Sequence, residues 1–548
     1  MRHLYSTLLL LALAAALTAQ HDFYHQPHYH FNEADTLRGM LRPERTAFDV
    51  THYALDIEVD PRRKYVGGRV DVTFEVLDAT ERIQLDLYEN MAISRILHRG
   101  RQLDYERVAN AVFIDFGAPL EPGSTEMVQV YYGGEPHVAK QAPWDGGFVW
   151  AKDDKGYPWV GVACEGDGAS LWWPCKDHLS DEPDSVSLRV TVPKPLVYVG
   201  NGQPGKVEDH GTTRSYNWRV TYPINTYNVT INVGNYVHFS DTYTAQDKTT
   251  MPMDFYVLDY NLKKAKKHFA QAPRSLEAFE YYFDKYPFWR DGYALVETPY
   301  LGMEHQSAIA YGNRFMRGYM GGMIPPDMDW DYIIVHETGH EWFGNSVSCG
   351  DLAEMWIHES FTTYMEALYV EYWHGYDDAL RYLATVHAPF IANKEPILGP
   401  KDVNWEDWED SDHYFKGSWV LHTLRYAIGD DKLWFGILKG FYRQQAYSIT
   451  TTDDFITYVN EATGKDWAPF FEQYLAYVSV PQLELRATGK GDQRLWEYRI
   501  HADVAGFSMP LPLQVDGRPV RVEATAQWQE LPVKAAVVKM TKGLVLVR

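Results

Sequence analysis

The feature that most restricts how this chain folds is the pentapeptide His336-Glu337-Thr338-Gly339-His340. In a helix, side chains four positions apart lie on one face, so both imidazoles can bind one metal ion. Glu337 lies beside this pair, where its carboxylate can act as a general base on a water molecule. The alternative is an ordinary helix, because this five-residue pattern also occurs by chance.

The residues around the pentapeptide favour a buried helix. The apolar run DWDYIIV precedes it, and Gly344-Asn345 follows it as a stop signal. Gly339 should cost a helix interior about 1 kcal/mol relative to alanine. That cost is understandable if another group approaches the backbone closely there. We therefore expect this helix to pack tightly against a neighbour.

A third metal ligand is expected from the next helical segment, WIHESFTTYMEALY, which contains Glu359 near its start. A catalytic zinc ion takes three protein ligands and keeps one open position. An antiparallel pair of helices would bring Glu359 to the two histidines, and a His, His, Glu set favours zinc. From the residues alone, a carboxylate stabilised by the helix dipole is an equally good interpretation.

The pattern along the chain predicts a multidomain α+β protein. The length of 548 residues exceeds one compact domain, and a hydrophobic content of 45% is enough to form several cores. Alternating apolar residues predict strands in the first part and again near the end, where VDGR is a candidate hairpin turn. Helical spacing dominates between them. The predicted units are a signal peptide at 1–19, a mobile or surface-draped lead-in at 20–45, an antiparallel β domain at 46–241, a mostly helical domain at 242–480 and a small β module at 481–548.

The N-terminus resembles a secretory signal. Arg2 and His3 precede an apolar run from Leu8 to Leu17, which is shorter than the roughly 20 residues of a membrane span. A membrane anchor is the alternative. We expect a secreted or periplasmic protein with no integral membrane segment in its mature chain.

Charge and cysteine content restrict the partners and the redox chemistry. A net charge of −23 leaves no basic surplus for nucleic acid, although it would suit cationic peptides. Three cysteines are too few for a disulfide scaffold. Cys164 and Cys175 could pair in an oxidising compartment, or they could be small buried thiols.

The longer pattern resembles the gluzincin zinc aminopeptidases, the family of aminopeptidase N and leukotriene hydrolase. The pentapeptide is followed by eighteen residues and then Glu359, with WFGN after the second histidine and WIHES around the glutamate. The resemblance covers the chain from about residue 45 onward. It implies one zinc ion per chain, held by His336, His340 and Glu359, with Glu337 as the catalytic base. It also implies a saddle-shaped N-terminal β domain, a thermolysin-like catalytic domain and a C-terminal β-sandwich.

The same resemblance implies a site for the free amino terminus of a substrate. The family's Gly-Ala-Met-Glu-Asn-like segment is similar to LGMEHQ, which places Gly302, Met303, Glu304 and His305 in the substrate site. Glu304 falls at the amine-anchoring position, with a solvated loop carboxylate as the alternative. Leu301 and His305 replace the usual glycine and asparagine, and His305 could titrate near neutral pH.

Two further residues take roles from the resemblance. Glu165, in CEGDGASLWWPCKD, is similar to a second amine anchor in the β domain, with Asp167 as a rival. Two carboxylates around one ammonium group would balance its buried charge. Tyr414, in HYFKGSWVLHTLRY, matches the tyrosine that donates a hydrogen bond to the tetrahedral oxyanion.

The function expected from this resemblance is release of amino-terminal residues from peptides by metal-activated water. An endopeptidase is one alternative, and it would accept N-acetylated peptides. A non-catalytic peptide-binding relative is another, although the ligands and the base are all in place. A hydrolase that also opens a lipid epoxide would need basic carboxylate-binding residues that have no evident place here. Many relatives add a large helical domain, so we expect a short form with a more open cleft that admits longer peptides. The oligomeric state does not follow from the sequence.

Overall fold

The computed structural model describes residues 30–405 and 408–548. The predicted signal peptide at 1–19 lies outside the described residues. The predicted fold class is confirmed, because a large β-rich part is followed by a helical part and then by small β sheets.

The N-terminal β-rich part is built on a sheet of ten strands in the order β12-β13-β10-β1-β2-β7-β4-β5-β6-β3. Most neighbours are antiparallel, as predicted, whereas β1 and β10 run parallel with Leu55 opposite Leu188. A second sheet has the order β11-β14-β9-β8. Alternate residues of these strands face a shared apolar core, as the period-two pattern requires. The strands are β1 (Phe48–Asp60), β2 (Tyr65–Val76), β3 (Thr80–Asp86), β4 (Met91–His98), β5 (Arg101–Val108), β6 (Ala111–Leu120), β7 (Thr125–Gly134), β8 (Gly147–Lys152), β9 (Pro158–Ala163), β10 (Ser185–Pro193), β11 (Val197–Val199), β12 (Gln203–Asp209), β13 (Thr213–Val220) and β14 (Asn232–Gly234).

A five-stranded sheet connects this part to the helical part. Its order is β15-β16-β17-β19-β18, and β18 lies at one edge. The boundary predicted at 241/242 falls inside β15, whose partner β16 follows it in the chain. The strands are β15 (Tyr236–Thr244), β16 (Thr250–Leu258), β17 (Tyr293–Glu297), β18 (Gly302–Met303) and β19 (Ile309–Tyr311).

Helices dominate the part that follows, as their apolar spacing predicts. Their buried faces and those of the five-stranded sheet form one core with the C-terminal strands. Two short strands, β20 (Val347–Cys349) and β21 (Ser448–Thr450), pair in parallel. The helices, numbered after α1 and α2 of the lead-in, are α3 (Leu262–His268), α4 (Ala272–Tyr282), α5 (Tyr332–His340), α6 (Trp356–His374), α7 (Tyr376–Tyr382), α8 (Phe415–Ile428), α9 (Asp431–Gln445), α10 (Thr452–Thr463) and α11 (Ala468–Phe471).

The C-terminal strands form two three-stranded sheets, in the orders β22-β23-β26 and β25-β24-β27. The predicted VDGR hairpin turn is present between β24 and β25, where Val515 pairs with Arg518. Asp516 and Gly517 both have positive φ, of 48° and 81°, as a two-residue hairpin loop of this twist requires. The strands are β22 (Gln482–Thr488), β23 (Leu495–His501), β24 (Ser508–Val515), β25 (Arg518–Thr525), β26 (Gln529–Glu530) and β27 (Val538–Met540).

The described part of the lead-in is more ordered than its polar composition predicts. It forms helices α1 (Glu33–Gly39) and α2 (Pro43–Thr46), and Asn32 caps α1 with a reciprocal capping box. Arg45 is fully buried, where its guanidinium donates to Asp86 at 2.8 Å. A buried ion pair of this kind fixes the segment against β3, which a survey of local composition cannot reveal.

The three cysteines are buried free thiols, so the disulfide considered for Cys164 and Cys175 is not formed. Over the described ranges, no helix has both the length and the apolar character required to span a bilayer.

Candidate metal centre and substrate pocket

Helix α5 carries the pentapeptide and is buried along its whole length, as its apolar flank predicts. Asp331 caps its N-terminus by accepting hydrogen bonds from the amides of Ile333 and Ile334. The helix ends at His340, and Gly344 then turns the chain with a φ of +121°. This turn directs the chain away just after the second histidine.

Helix α6 packs directly against the glycine of the pentapeptide. A Cβ added at Gly339 would lie 3.0 Å from the methyl group of Thr362. The close approach inferred from the glycine is therefore present, and the approaching group is a side chain of α6. Glu359 lies in the first turn of that helix, as predicted.

The three predicted ligands converge on one point. The Nε2 atoms of His336 and His340 are 3.2 Å apart, and they lie 3.6 and 3.5 Å from Oε2 of Glu359. Ligand atoms about 2.1 Å from a tetrahedral ion are about 3.4 Å from one another. The observed triangle therefore has the size that one zinc ion requires.

The hydrogen bonds of His340 and Glu359 fit a cation at this point. Nδ1 of His340 lies 3.0 Å from the carbonyl oxygen of Phe343, which can only accept, so Nδ1 carries the proton. In the neutral imidazole, Nε2 of His340 then presents a lone pair. Oε2 of Glu359 is buried and has no hydrogen-bond partner among the described residues. The lone pairs of Nε2 of His340 and Oε2 of Glu359 face one another, and a positive ion between them would stabilise this arrangement.

The charges of the acidic residues suit their expected roles. Burial acts to raise the pKa of Glu359, but the imidazoles of His340 and His336 outweigh it and hold that pKa well below its usual range. Burial raises the pKa of Glu337 to about 8, although the two imidazoles oppose it. The raised pKa gives the Glu337 carboxylate a greater affinity for a proton than an ordinary glutamate has, which suits a group that accepts a proton from water.

A second carboxylate orients His336 and was missed by the sequence analysis. Oε1 of Glu366 is 2.7 Å from Nδ1 of His336, and its Oε2 contacts the hydroxyl of Tyr382 at 2.7 Å and Nε2 of His387 at 3.0 Å. Glu366 follows Glu359 by two helical turns, so the helix spacing could have revealed it. Carboxylates behind a ligating histidine fix its tautomer and ring orientation.

Two of the predicted amine anchors lie beside this centre. Carboxylate oxygens of Glu165, Glu304 and Glu359 all lie within 4.8 Å of one another. Although Glu165 is partly exposed, desolvation and the neighbouring Glu304 raise its pKa well above the usual range. Its Oε1 has no hydrogen-bond partner within the described ranges. Crowded carboxylates of this kind are stabilised by a cation such as an ammonium group.

Glu304 is fixed by a residue that no sequence motif marks. The hydroxyl of Tyr227 donates to Oε1 of Glu304 at 3.0 Å, and Asn345 donates to the backbone carbonyl of Glu304 at 2.7 Å. Tyr227 is far from Glu304 in the chain, and no local motif marks it. The rival Asp167 is engaged elsewhere, because its carboxylate accepts a hydrogen bond from the amide of Gly146.

Tyr414 also reaches the centre. Its ring stacks on that of His336 with a centroid separation of 6.2 Å. Burial and the nearby Glu359 raise the pKa of Tyr414 well above its usual range. The phenol is therefore a protonated hydrogen-bond donor at neutral pH.

The rest of the LGMEHQ segment is placed next to the base. Gly302 lies so close to Glu337 that a Cβ there would be 2.7 Å from Oε1 of the carboxylate. Gly302 and Met303 form edge strand β18, and the side chain of Met303 is buried in the core. Leu301 packs partly buried against the helical core.

The expectation that His305 titrates near neutral pH is wrong. The side chain is completely buried, and burial lowers its pKa to about 3. Neither ring nitrogen has a hydrogen-bond partner among the described residues. His305 is therefore neutral at physiological pH.

A His, His, Glu group on two packed helices, with a carboxylate base beside it, defines a gluzincin-type metal centre. Residues 262–474 match the Peptidase family M1 domain. The helical part of this chain is therefore similar to the M1 family of metallopeptidases.

Similar proteins agree with this assignment. Probable aminopeptidase 2 of Sulfurisphaera tokodaii is 23% identical over 367 residues, which cover 63% of this chain and 45% of that protein. Aminopeptidase N of Lactococcus lactis is 27% identical over 225 residues, covering 38% of this chain and 26% of that protein. The chain thus spans about half the length, or less, of these curated relatives.

Solved structures share the fold. A mutant M1 zinc metallopeptidase from Deinococcus radiodurans, bound to a Tyr-Ser-Ala substrate, has a TM-score of 0.66 at 21% sequence identity. The match covers 79% of this chain and 95% of that chain. At this level of identity the comparison establishes the architecture, and the chemistry must be argued from the residues.

Proposed function

We propose that this chain is a zinc-dependent aminopeptidase that releases amino-terminal residues from peptides. The observation that carries the proposal is the position of Glu165 and Glu304, whose carboxylates lie within 4.8 Å of each other and of the metal-binding Glu359. A metal centre alone suits many hydrolases, whereas acidic groups beside it suit a substrate whose cleaved bond is next to a free ammonium group.

His336, His340 and Glu359 would hold the zinc ion. When bound there, zinc polarises a peptide carbonyl and lowers the pKa of water, which provides a nucleophile at neutral pH. Side chains of this protein bind the substrate, transfer the proton and stabilise the oxyanion. Glu165 and Glu304 bind and orient the α-ammonium group of the substrate, which places its first peptide bond beside Glu337.

Proton transfer is assigned to Glu337 and oxyanion stabilisation to Tyr414. Glu337 accepts a proton from the attacking water and then donates it to the leaving amine. Tyr414 donates a hydrogen bond to the oxygen on which negative charge develops. The backbone of edge strand β18, with Gly302 against the base, is positioned to pair with an extended peptide. The relative from Deinococcus radiodurans with bound Tyr-Ser-Ala supports a peptide as the substrate.

The test is a panel of aminoacyl chromogenic amides assayed before and after zinc is removed with a chelator. We expect hydrolysis to stop on removal and to return when zinc is added. Glu337→Gln should retain zinc, measured by metal analysis, and lose at least about 100-fold in kcat, since general base catalysis contributes that much. Activity that persists without metal would contradict the proposal.

We also propose that the protein acts outside the cytoplasm, because residues 1–19 have the composition of a secretory signal. Mass spectrometry of the protein recovered from its native host should find a mature N-terminus near Gln20. Recovery from the cytoplasm with residues 1–19 intact would refute this location.

A further inference from the structure

We propose that the N-terminal segment 30–46 holds the turn that carries Glu165, with Arg38 as the positioning residue for recognition of the substrate amine. The proposal rests on the proposed function, because it concerns the same amine anchor. It assigns a role to a segment that the mechanism does not otherwise use.

The turn 164–168 contains two glycines with a left-handed backbone. Gly166 and Gly168 have positive φ values of 74° and 85°, which glycine adopts without strain. Inside the turn, the amide of Gly168 donates to the carbonyl of Cys164 at 2.7 Å. The amide of Asp167 donates to the carbonyl of Glu165 at 2.9 Å. A backbone with two glycines has many alternative conformations, so outside contacts decide where the Glu165 carboxylate points.

Arg38 provides such a contact from helix α1. Its Nη2 donates to the carbonyl of Gly166 at 2.7 Å, directly after Glu165, and its Nε lies 3.3 Å from Oδ2 of Asp177. Asp177 is itself fixed, because its Oδ2 accepts from the hydroxyl of Ser170 at 2.5 Å. The guanidinium therefore links the turn to a buried carboxylate.

Packing at the turn shows how closely Arg38 is fitted. A Cβ added at Gly168 would lie 1.9 Å from Nη2 of Arg38 and 2.3 Å from Oδ2 of Asp177. The glycine thus leaves just the space that the ion pair fills. Gly166, Gly168 and Arg38 also line one cavity with Tyr227, the residue that donates to Glu304. The segment therefore borders the supports of both amine anchors.

The segment is docked on the helical part as well. A Cβ at Gly39 would lie 2.3 Å from the backbone of Val403, so the end of helix α1 packs against that loop without a side chain between them. The amide of Asn404 donates to the carbonyl of Asp35 at 3.1 Å. Because both parts of the molecule hold the segment, Arg38 approaches the turn from a fixed position.

Arginine suits this position better than lysine. Its planar fork can donate to a carbonyl and face a carboxylate at once, whereas the single ammonium of lysine has a different geometry. The effect would reach the substrate through the backbone of Gly166, which follows Glu165 in the chain and whose carbonyl accepts from Arg38. A displaced anchor should weaken recognition of the amine more than it slows bond cleavage.

The experiment compares Arg38→Met, Arg38→Lys and Glu165→Gln with the wild type. Arg42→Met is the matched control, because Arg42 lies on the same segment and its side chain makes no capping hydrogen bond to helix α2. The readouts are KM and kcat for an aminoacyl chromogenic amide. Inhibition constants are also measured for an aminoacyl hydroxamate and for its analogue without the amino group. Melting temperature and zinc content check folding.

We expect Arg38→Met to raise KM about tenfold, with a smaller change in kcat, which is within the range that a misplaced positioning group costs. The aminoacyl hydroxamate should lose affinity by a similar factor, and the analogue without the amine should be unaffected. Arg38→Lys should be intermediate, and it replaces Arg38→Met if that variant does not fold. The effects of Arg38→Met and Glu165→Gln should not add, because both act on one anchor.

Separate outcomes distinguish the two proposals. If the wild type binds the two hydroxamates equally, the proposed amine pocket is wrong. Amine preference is the ratio of the inhibition constants of the two hydroxamates. Suppose that Glu165→Gln changes this ratio relative to the wild type. If Arg38→Met and Arg38→Lys then both keep the wild-type ratio, the role of Arg38 is overturned. A loss that is equal for both hydroxamates would show only a general structural role, which also overturns it.

Discussion

His336 lies between two carboxylates, and each contacts a different nitrogen of its ring. Glu359 faces its Nε2 at 3.6 Å and Glu366 faces its Nδ1 at 2.7 Å. The first completes the ligand triangle, and the second holds the ring so that Nε2 points into it. Glu366 keeps this position because Tyr382 and His387 occupy its other oxygen.

Replacing Glu366 with glutamine should therefore weaken zinc binding without removing a ligand. We expect the zinc dissociation constant of Glu366→Gln to rise about 10-fold to 100-fold, the usual effect of an outer carboxylate partner. Competition with a fluorescent chelator measures it. Glu371→Gln is the control, since Glu371 lies on the same helix and pairs with Arg425 instead. Equal zinc affinity in Glu366→Gln and the wild type would contradict this role.

Buried neutral histidines should make the fold sensitive to acid, and His422 is a clear case away from the metal centre. It is buried between the rings of Tyr364 and Trp419, and burial lowers its pKa to about 3 from 6.5. Between these values the unfolded chain binds a proton that the folded chain excludes. Stability is therefore fully present above pH 6.5 and is lost as the pH falls.

Replacing His422 with glutamine should remove the pH-dependent contribution of this residue to stability. The free energy of unfolding, from urea titrations at pH 7, 6 and 5, should fall less steeply with acid than in the wild type, by up to about 1.4 kcal/mol per pH unit. Parallel pH profiles for the two proteins would show that His422 does not titrate in this way.

At the scale of elements, the site depends on how helices α5, α6 and α8 pack. Thr362 of α6 lies on Gly339 of α5, and Ser360 of α6 lies under Gly417 of α8. The hydroxyl of Ser360 also donates to the carbonyl of His413 at 2.6 Å, next to Tyr414. These contacts place Glu359 and Tyr414 on the same side of the pentapeptide helix.

A methyl group at Gly417 should disturb this packing. The added Cβ would lie 1.7 Å from Oγ of Ser360, so α6 and α8 must separate. We expect Gly417→Ala to destabilise the protein by about 1 to 3 kcal/mol, as overpacking usually does. Gly436→Ala is the control, because a Cβ there meets no atom within 4 Å and should stabilise helix α9 by up to about 1 kcal/mol. Urea unfolding of both variants measures the change in the free energy of unfolding. A Gly417→Ala variant that is more stable than the wild type would contradict the close packing of α6 against α8.

The elements differ in how far the sequence could predict them. Helix α5 and the start of α6 follow from local signals, because the apolar flank, Gly344 and the ligand spacing lie within a few turns. The hairpin at Asp516 follows in the same way from its turn residues. Strands β17 and β19 are short, fully buried and parallel, so they lack the alternation that marks a strand.

Tertiary contacts account for what the sequence could not predict in the site. Tyr227 reaches Glu304 across 77 positions, and Arg38 reaches Gly166 across 128. No periodicity relates residues so far apart. The roles of Glu165, Glu304 and Tyr414 came from the family resemblance, and the structure brings their side chains towards the ligand triangle.

At the scale of the whole molecule, the pocket forms where the β-rich part meets the helical part. Asn228 donates to the side chain of Asn345 at 2.5 Å, and Asn201 donates to the carbonyl of Gln306 at 2.8 Å. These buried bonds fix the β-rich part, which supplies Glu165, against the part that supplies the metal ligands. Under the proposed function, selection of a free amino terminus would require both parts in this arrangement.

Recognition of a free amino terminus can be tested by a time course of peptide digestion followed by mass spectrometry, with one peptide supplied in free and N-acetylated forms. We expect stepwise loss of single residues from the amino terminus of the free peptide and no cleavage of the acetylated one, because acetylation removes the charge that Glu165 and Glu304 are proposed to bind. Internal fragments, or equal cleavage of both peptides, would contradict it.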